Sequence, residues 1–177
     1  MAHFAKLDEN NVVINVTKFD NADVDANGGD FSDQAEQWVN STLKGTYKQT
    51  SYNSINGKYQ VPTVTETRPD GTARARSYEE HANDPRCKRW SYAVIGGTYN
   101  TENDVFVGIQ SHPSWVLDTS QWIYKPPVDY PTVLTYGDNT PYFINWDEDT
   151  LRWLGYDSSN NEFAWDPDSS SWSSTGN

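Results

Sequence analysis

Cysteine is nearly absent from this 177-residue chain: Cys87 stands alone. A lone thiol forms no internal disulfide and supplies no cysteine metal cluster, so nothing implies an oxidising compartment. Positive charge is scarce, with 13 basic residues against 25 acidic and a formal net charge of −12. Such a chain repels phosphate backbones and anionic headgroups, which makes nucleic acid and membrane surfaces poor partners. Long apolar runs are missing too. The longest lie around Val12 to Val16 and Tyr92 to Ile95, far short of the roughly 20 residues of a membrane-spanning helix. Lys6, Asp8, Glu9, Lys18 and Asp20 interrupt the first twenty residues, so no signal peptide is expected there. The chain reads as a soluble protein made in a cytoplasm.

Only 35% of residues are apolar, a fraction that with this charge would suggest disorder. Aromatics reverse that reading. They make up 14% of the chain, with 8 Trp and 11 Tyr, and large rings build a core from few positions.

Local patterning predicts a mainly β fold. Two strands flank the D-E-N-N turn at 8–11, the second rich in β-branched residues. The stretch D-N-A-D-V-D-A-N-G-G-D reads as a polar loop, and 32–43 as the one helix. Ser32 or Asp30 caps that helix, Ala35, Trp38, Val39 and Leu43 form its apolar stripe, and Gly45 ends it. A strand follows over T-Y-K-Q-T-S-Y-N, residues 46–53. The segment 62–90 carries Arg68, Arg74, Arg76, Arg86, Lys88 and Arg89, six of the 13 basic residues. It reads as an R-P-D-G turn within an extended excursion or long loop, and hence as a candidate docking surface, with a solvated mobile loop as the alternative.

The C-terminal half repeats. Trp115 and Trp122, Trp146 and Trp153, and Trp165 and Trp172 each lie seven apart, as do Tyr99 and Phe106. A four-residue turn between two strands places residue i opposite i+7, so each pair predicts a hairpin with facing rings. The expected organisation is an N-terminal α+β unit over 1–112, with a basic insertion at about 57–89. A hairpin region follows over 113–177, with hairpins at about 113–124, 142–156 and 162–174. The proline-rich Lys125 to Pro131 should be a stiff linker, and the Ser-rich tail should fray unless docked. The six Trp are candidate core or interface residues, with glycan stacking as the alternative.

Signatures of chemistry are sparse. His3, His81 and His112 stand in unrelated contexts, and no nucleophile elbow or phosphate loop occurs. Carboxylates dense enough for glycoside hydrolysis sit in turns where all would stay ionised. Asp23, Asp25, Asn27 and Gly28 open like a calcium loop, but its twelfth position is Gln34, with Glu36 nearby; an Asx-rich turn is the favoured reading. No catalytic residue, metal or cofactor is expected.

Several stretches together resemble a family of small virion proteins encoded by tailed phages of marine cyanobacteria. They are H-F-A-K-L-D-E-N-N-V-V from His3, G-T-Y-K-Q-T-S-Y-N from Gly45, Y-N-T-E-N-D-V-F-V from Tyr99 and P-S-W-V-L-D-T-S-Q-W from Pro113. The resemblance covers most of 1–56 and 90–153, and 57–89 departs from it. It implies a non-enzymatic structural protein of the virion, such as a tail or neck fibre or appendage, with a capsid decoration protein or a glycan-binding adhesin as alternatives. The expected partners are other virion proteins, further copies of this chain and, for an adhesin, host surface glycans.

Overall fold

The structure, a computed structural model, describes residues 1–71 and 73–176, without the side chains of 62, 64, 65 and 73–76. Its described residues form sixteen strands and two helices, a mainly β fold of several small antiparallel sheets. They divide into two compact units, 1–109 with 118–123, and 110–117 with 124–177.

The first unit is organised by β1 (Ala2–Leu7), which lies between β2 (Val13–Phe19) and β3 (Thr46–Thr50). Successive strand side chains point to opposite faces, and here both faces are covered. On one, Ala2 and Phe4 pack with Val24, Ala35, Val39 and Tyr47. On the other, Ala5 and Leu7 pack with Val13, Ala93, Tyr99 and Phe106. That explains a central strand whose four apolar residues are all buried, two on each face.

The first cluster needs two helices, one more than expected. Helix α1 (Asn21–Ala26) occupies what reads as polar loop. Its single buried residue, Val24, drops into the core and holds an otherwise polar turn in place. Helix α2 (Asp33–Leu43) begins where the capping signal predicts: Ser32 Oγ accepts the Ala35 N–H at 3.0 Å. It stops at Lys44, which takes a left-handed conformation, one residue before Gly45. Ala35 and Val39 face the core, whereas Leu43 is exposed.

Of the two readings of 62–90, the extended one holds for most of the segment: β4 (Ser54–Ile55), β5 (Lys58–Thr67) and β6 (Ala73–Ala82) form one sheet in that order. Asn56 and Gly57, both at positive φ, make the two-residue turn into β5. The R-P-D-G turn closes the far end, where the Gly71 N–H reaches the Arg68 carbonyl at 2.9 Å. Register shifts on both sides of Val64 follow Pro62, which has no N–H to give the ladder.

The β7 (Thr98–Asn100) and β8 (Val105–Val107) hairpin pairs Tyr99 with Phe106, as the seven-residue spacing predicts. Their rings lie 5.1 Å apart. Next come β9 (Val116–Asp118) and β10 (Ile123–Lys125), a two-stranded sheet, and the small β11 (Thr135–Tyr136) and β12 (Thr140–Pro141) pair.

The second unit is built around a meander of β13 (Phe143–Asp147), β14 (Arg152–Tyr156), β15 (Glu162–Asp166) and β16 (Ser171–Ser174). Trp146 is registered with Trp153, and Trp165 with Trp172. Both ring pairs have centroids 5.2 Å apart. The tail therefore docks as a fourth strand. Lys125 to Pro131 is no spacer either: Val128 packs on the indole cluster, its carbonyl accepts Trp153 Nε1–H at 3.0 Å, and Tyr130 lies edge-on to Trp153.

Trp115 and Trp122 do not form the expected pair. Strand β9 starts after Trp115, and Trp122 sits in the turn at a φ of 53°. The reason is visible in the hairpins that do pair. In each, an Asn or Asp follows the first ring and accepts a backbone N–H inside the loop. Asn100 takes it from Asn103, Asp147 from Thr150 and Asp166 from Asp168. The fourth loop residue then turns left-handed, at Asp104, Leu151 and Ser170. In the β9–β10 hairpin the corresponding residue is Asp118, which accepts from Ser120 at 2.8 Å, so Trp122 becomes the left-handed residue. Counted from Asp118, Leu117 and Tyr124 take the places of the ring pair. The Asx residue sets register here; the indole spacing does not.

Candidate assembly surfaces and a buried ionic staple

The six Trp of the repeat are placed inside the fold far more than on it. Trp146, at 8% exposure, and Trp153 and Trp165 are buried, with Trp115 and Trp172 packed against them. Their polar ends are used as well. Trp146 Nε1–H reaches Ser114 Oγ at 3.1 Å and Glu148 Oε2 at 3.0 Å, and Trp172 Nε1–H reaches the Val133 carbonyl at 2.7 Å. These rings pack edge to face on one another. Trp115 Nε1–H is buried without a partner. Trp122 is half-buried and belongs to the first unit.

The six cations singled out as a docking segment are not one surface. Arg68 is exposed at the tip of the β5–β6 ribbon. The side chains of Arg74 and Arg76 lie outside the described residues, although their backbone belongs to β6. Arg86 grips Asp84 through Nε at 3.0 Å and Nη2 at 2.7 Å. Those hydrogen bonds pull the Asp84 carboxyl down to about 2. Arg86 also stacks 4.3 Å above the Tyr59 ring. Lys88 is exposed.

Arg89 is an interior residue, its side chain only 10% exposed. Its Nη1 donates to Glu36 Oε1 at 2.5 Å and to the Gln49 carbonyl at 2.6 Å, and its Nε donates to Asp104 Oδ1 at 2.7 Å. Glu36, 4% exposed on α2, also accepts from Lys48 Nζ and from the Gln49 N–H, each at 2.9 Å. The Tyr99 hydroxyl completes the cluster by donating to Asp104.

Burial opposes the charge on Arg89, but hydrogen bonds and the fields of Asp104 and Glu36 outweigh it and raise its pKa. For Asp104 burial again works against ionisation, and bonds from Tyr99 and Arg89 prevail, holding its carboxyl below the usual range. Tyr99 is pushed up to about 12, first by burial and then by its bond to Asp104. The cluster ties α2, β3, the segment after β6 and the β7–β8 turn together. Its atoms answer one another, as a staple's should.

The calcium-like run folds otherwise. Asp23 and Asp25 lie on α1, the Asn27 amide donates to the Asp23 carbonyl at 2.7 Å, and Glu36 is committed to the staple. No three His, Cys, Asp or Glu gather as a metal-holding group among the described residues. The three histidines lie apart: His3 against Tyr52 and Tyr92, His81 near Glu79, His112 on Trp115.

Two open surfaces stand out among the described residues. The β5–β6 ribbon is long for two strands, and its described side chains from Thr67 to Gly71 and from Ser77 to Glu80 are exposed. A two-stranded ribbon is marginal in water without a cover. The second is aliphatic. The Gly96 N–H and Gly97 carbonyl bind Val13, bringing the 94–97 turn beside β2, and Ile109 lies against Gly96. Ile14, Val94, Ile95 and Ile109 are all exposed there, the last two at 60% and 57%. No helix among the described residues is long and apolar enough to cross a membrane. No protein-family model, curated protein or solved structure matches this chain.

Proposed function

We propose that this chain is a non-catalytic structural component of a phage virion, a tail or neck fibre or appendage protein. The observation that carries this reading is the far part of the β5–β6 ribbon, whose described side chains from Thr67 to Gly71 and from Ser77 to Glu80 are exposed. Strands of ten residues with a proline-broken ladder suit a segment that gains its cover from a neighbouring chain. The aliphatic group around Ile95 and Ile109 supports the same reading, since exposed apolar groups of this kind mark contact sites. The sequence resemblance names the setting, and the partners it implies are other virion proteins and further copies of this chain.

The test is incorporation. In particles of a phage carrying this gene, mass spectrometry should detect the chain and labelled antibody should mark one structure. A variant with residues 63–77 replaced by a tight turn should keep its melting temperature and disappear from particles. Particles that contain no trace of the chain, or that take up the shortened variant normally, overturn the proposal.

A further inference from the structure

We propose that the first unit holds a saccharide-binding cleft, and that its ligand is a pyranose carrying a carboxylate. This goes beyond the assembly reading and does not depend on it. Two adjoining cavities, of about 200 and 310 Å³, share Asp30, Phe31, Ser51 and Tyr59 as common walls. The smaller continues among polar groups, including His3, Thr50 and Asn53. The larger continues along Pro85, Arg86 and Lys88. One end therefore offers hydrogen bonds, the other offers cations, and rings lie between them.

The walls are built with care. Gln49, 1% exposed on β3, grips the Asp30–Phe31 pair with both ends of its side-chain amide. Its Nε2 donates to Asp30 Oδ1, and its Oε1 accepts the Phe31 N–H, both at 2.6 Å. Its own backbone is fixed in turn by Glu36 and Arg89. This clamp holds Phe31 at a φ of 55°, a conformation that bulky residues avoid and that persists where surroundings impose it. Tyr59 is held similarly, with its hydroxyl accepting from Asn53 Nδ2 at 3.1 Å and Arg86 stacked on its ring. Preorganised rings and polar groups lower the ordering cost of binding.

The chemistry of the lining selects the ligand. Aromatic walls match the apolar face of a pyranose, while Asp30, Ser51 and Asn53 suit its hydroxyls. Arg86 is already neutralised by Asp84. Lys88 is different, forming no ion pair among the described residues. One uncompensated ammonium answers one carboxylate. A polyphosphate would meet Asp30 in the middle of the cleft.

The test is calorimetric titration of the full chain with a glucuronate-containing oligosaccharide, its neutral glucose counterpart and adenosine monophosphate. The acidic sugar should bind and the neutral one bind about ten-fold more weakly. Lys88→Gln should erase that preference, and Tyr59→Ala should abolish binding of both sugars. Lys88→Gln lies on the surface and keeps the test valid should Tyr59→Ala fail to fold. No binding of the acidic sugar at about 10 mM, equal binding of acidic and neutral sugars, tighter binding of the nucleotide, or an unaltered Lys88→Gln profile each overturns the proposal.

Discussion

The two units solve one problem, a shortage of aliphatic residues, in opposite ways. The first unit wraps helices and loops around a single apolar strand and fills its remaining gaps with an ionic cluster. The second, with no helix among its described residues, builds its interior from indoles, of which Trp146, Trp153 and Trp172 send their N–H groups to hydroxyl, carboxylate or carbonyl oxygens. The first kind of core depends on charge compensation and the second on ring geometry, so they should fail under different insults. Five of the eight Trp belong to the second unit, which lets indole fluorescence follow it while far-ultraviolet circular dichroism follows helix loss in the first.

The sharpest break should come from Arg89→Met. It takes the guanidinium from Glu36 and Asp104 and leaves Glu36 only Lys48 and the Gln49 N–H; removing one partner of a buried ion pair is strongly destabilising, here by about 3 kcal/mol because Lys48 still compensates part of the charge. Urea unfolding should show the helical signal shifting far more than the indole signal; parallel shifts would mean that the units unfold as one. Glu36→Gln added to Arg89→Met should recover part of the loss, since the buried charge goes with it.

Gly155→Val should strike the other unit. A Cβ at Gly155 would lie 2.9 Å from the Trp172 ring, and forced overpacking costs about 1–3 kcal/mol. The indole transition should drop and the helical one stay. Asp147→Ala should cost less, about 1 kcal/mol for the lost loop hydrogen bonds. It should also loosen the Trp146–Trp153 register, visible as a reduced near-ultraviolet signal.

The smallest effect is on pH dependence. Asp104 has a folded pKa below its ordinary value, so its stabilisation is present above the unfolded carboxylate range and is lost as pH falls through the folded pKa. Tyr99 is raised to about 12, so its contribution is intact below about 10 and is lost as pH rises towards 12. Asp104→Asn should flatten the acid limb of the first unit's stability profile, and Tyr99→Phe the alkaline limb. Indole-detected stability should follow the parent profile in both.

Much of this division was legible in the chain. The N-terminal strand pair, the Ser32-capped helix and three of the four ring pairings follow from local signals, because capping and turn closure are short-range. What the sequence hid depends on distant partners. Val24 reads as one apolar residue in an acidic stretch until Phe4 and Val39 are there to receive it. Arg89 reads as one more cation in a basic segment, since nothing local shows that Glu36, 53 residues away, awaits it. The exception at Trp115 has a local signal as well: aligning the repeats on Asn100, Asp118, Asp147 and Asp166 places all four loops.

None of these four hairpin loops closes on glycine. Asp104, Trp122, Leu151 and Ser170 all sit at positive φ, where a side chain costs roughly 1 kcal/mol or more. Thermostability is thus held in reserve. Leu151→Gly and Ser170→Gly are candidate routes to a hardier molecule, leaving every packed ring untouched, and an engineer seeking heat tolerance would begin with those two bends.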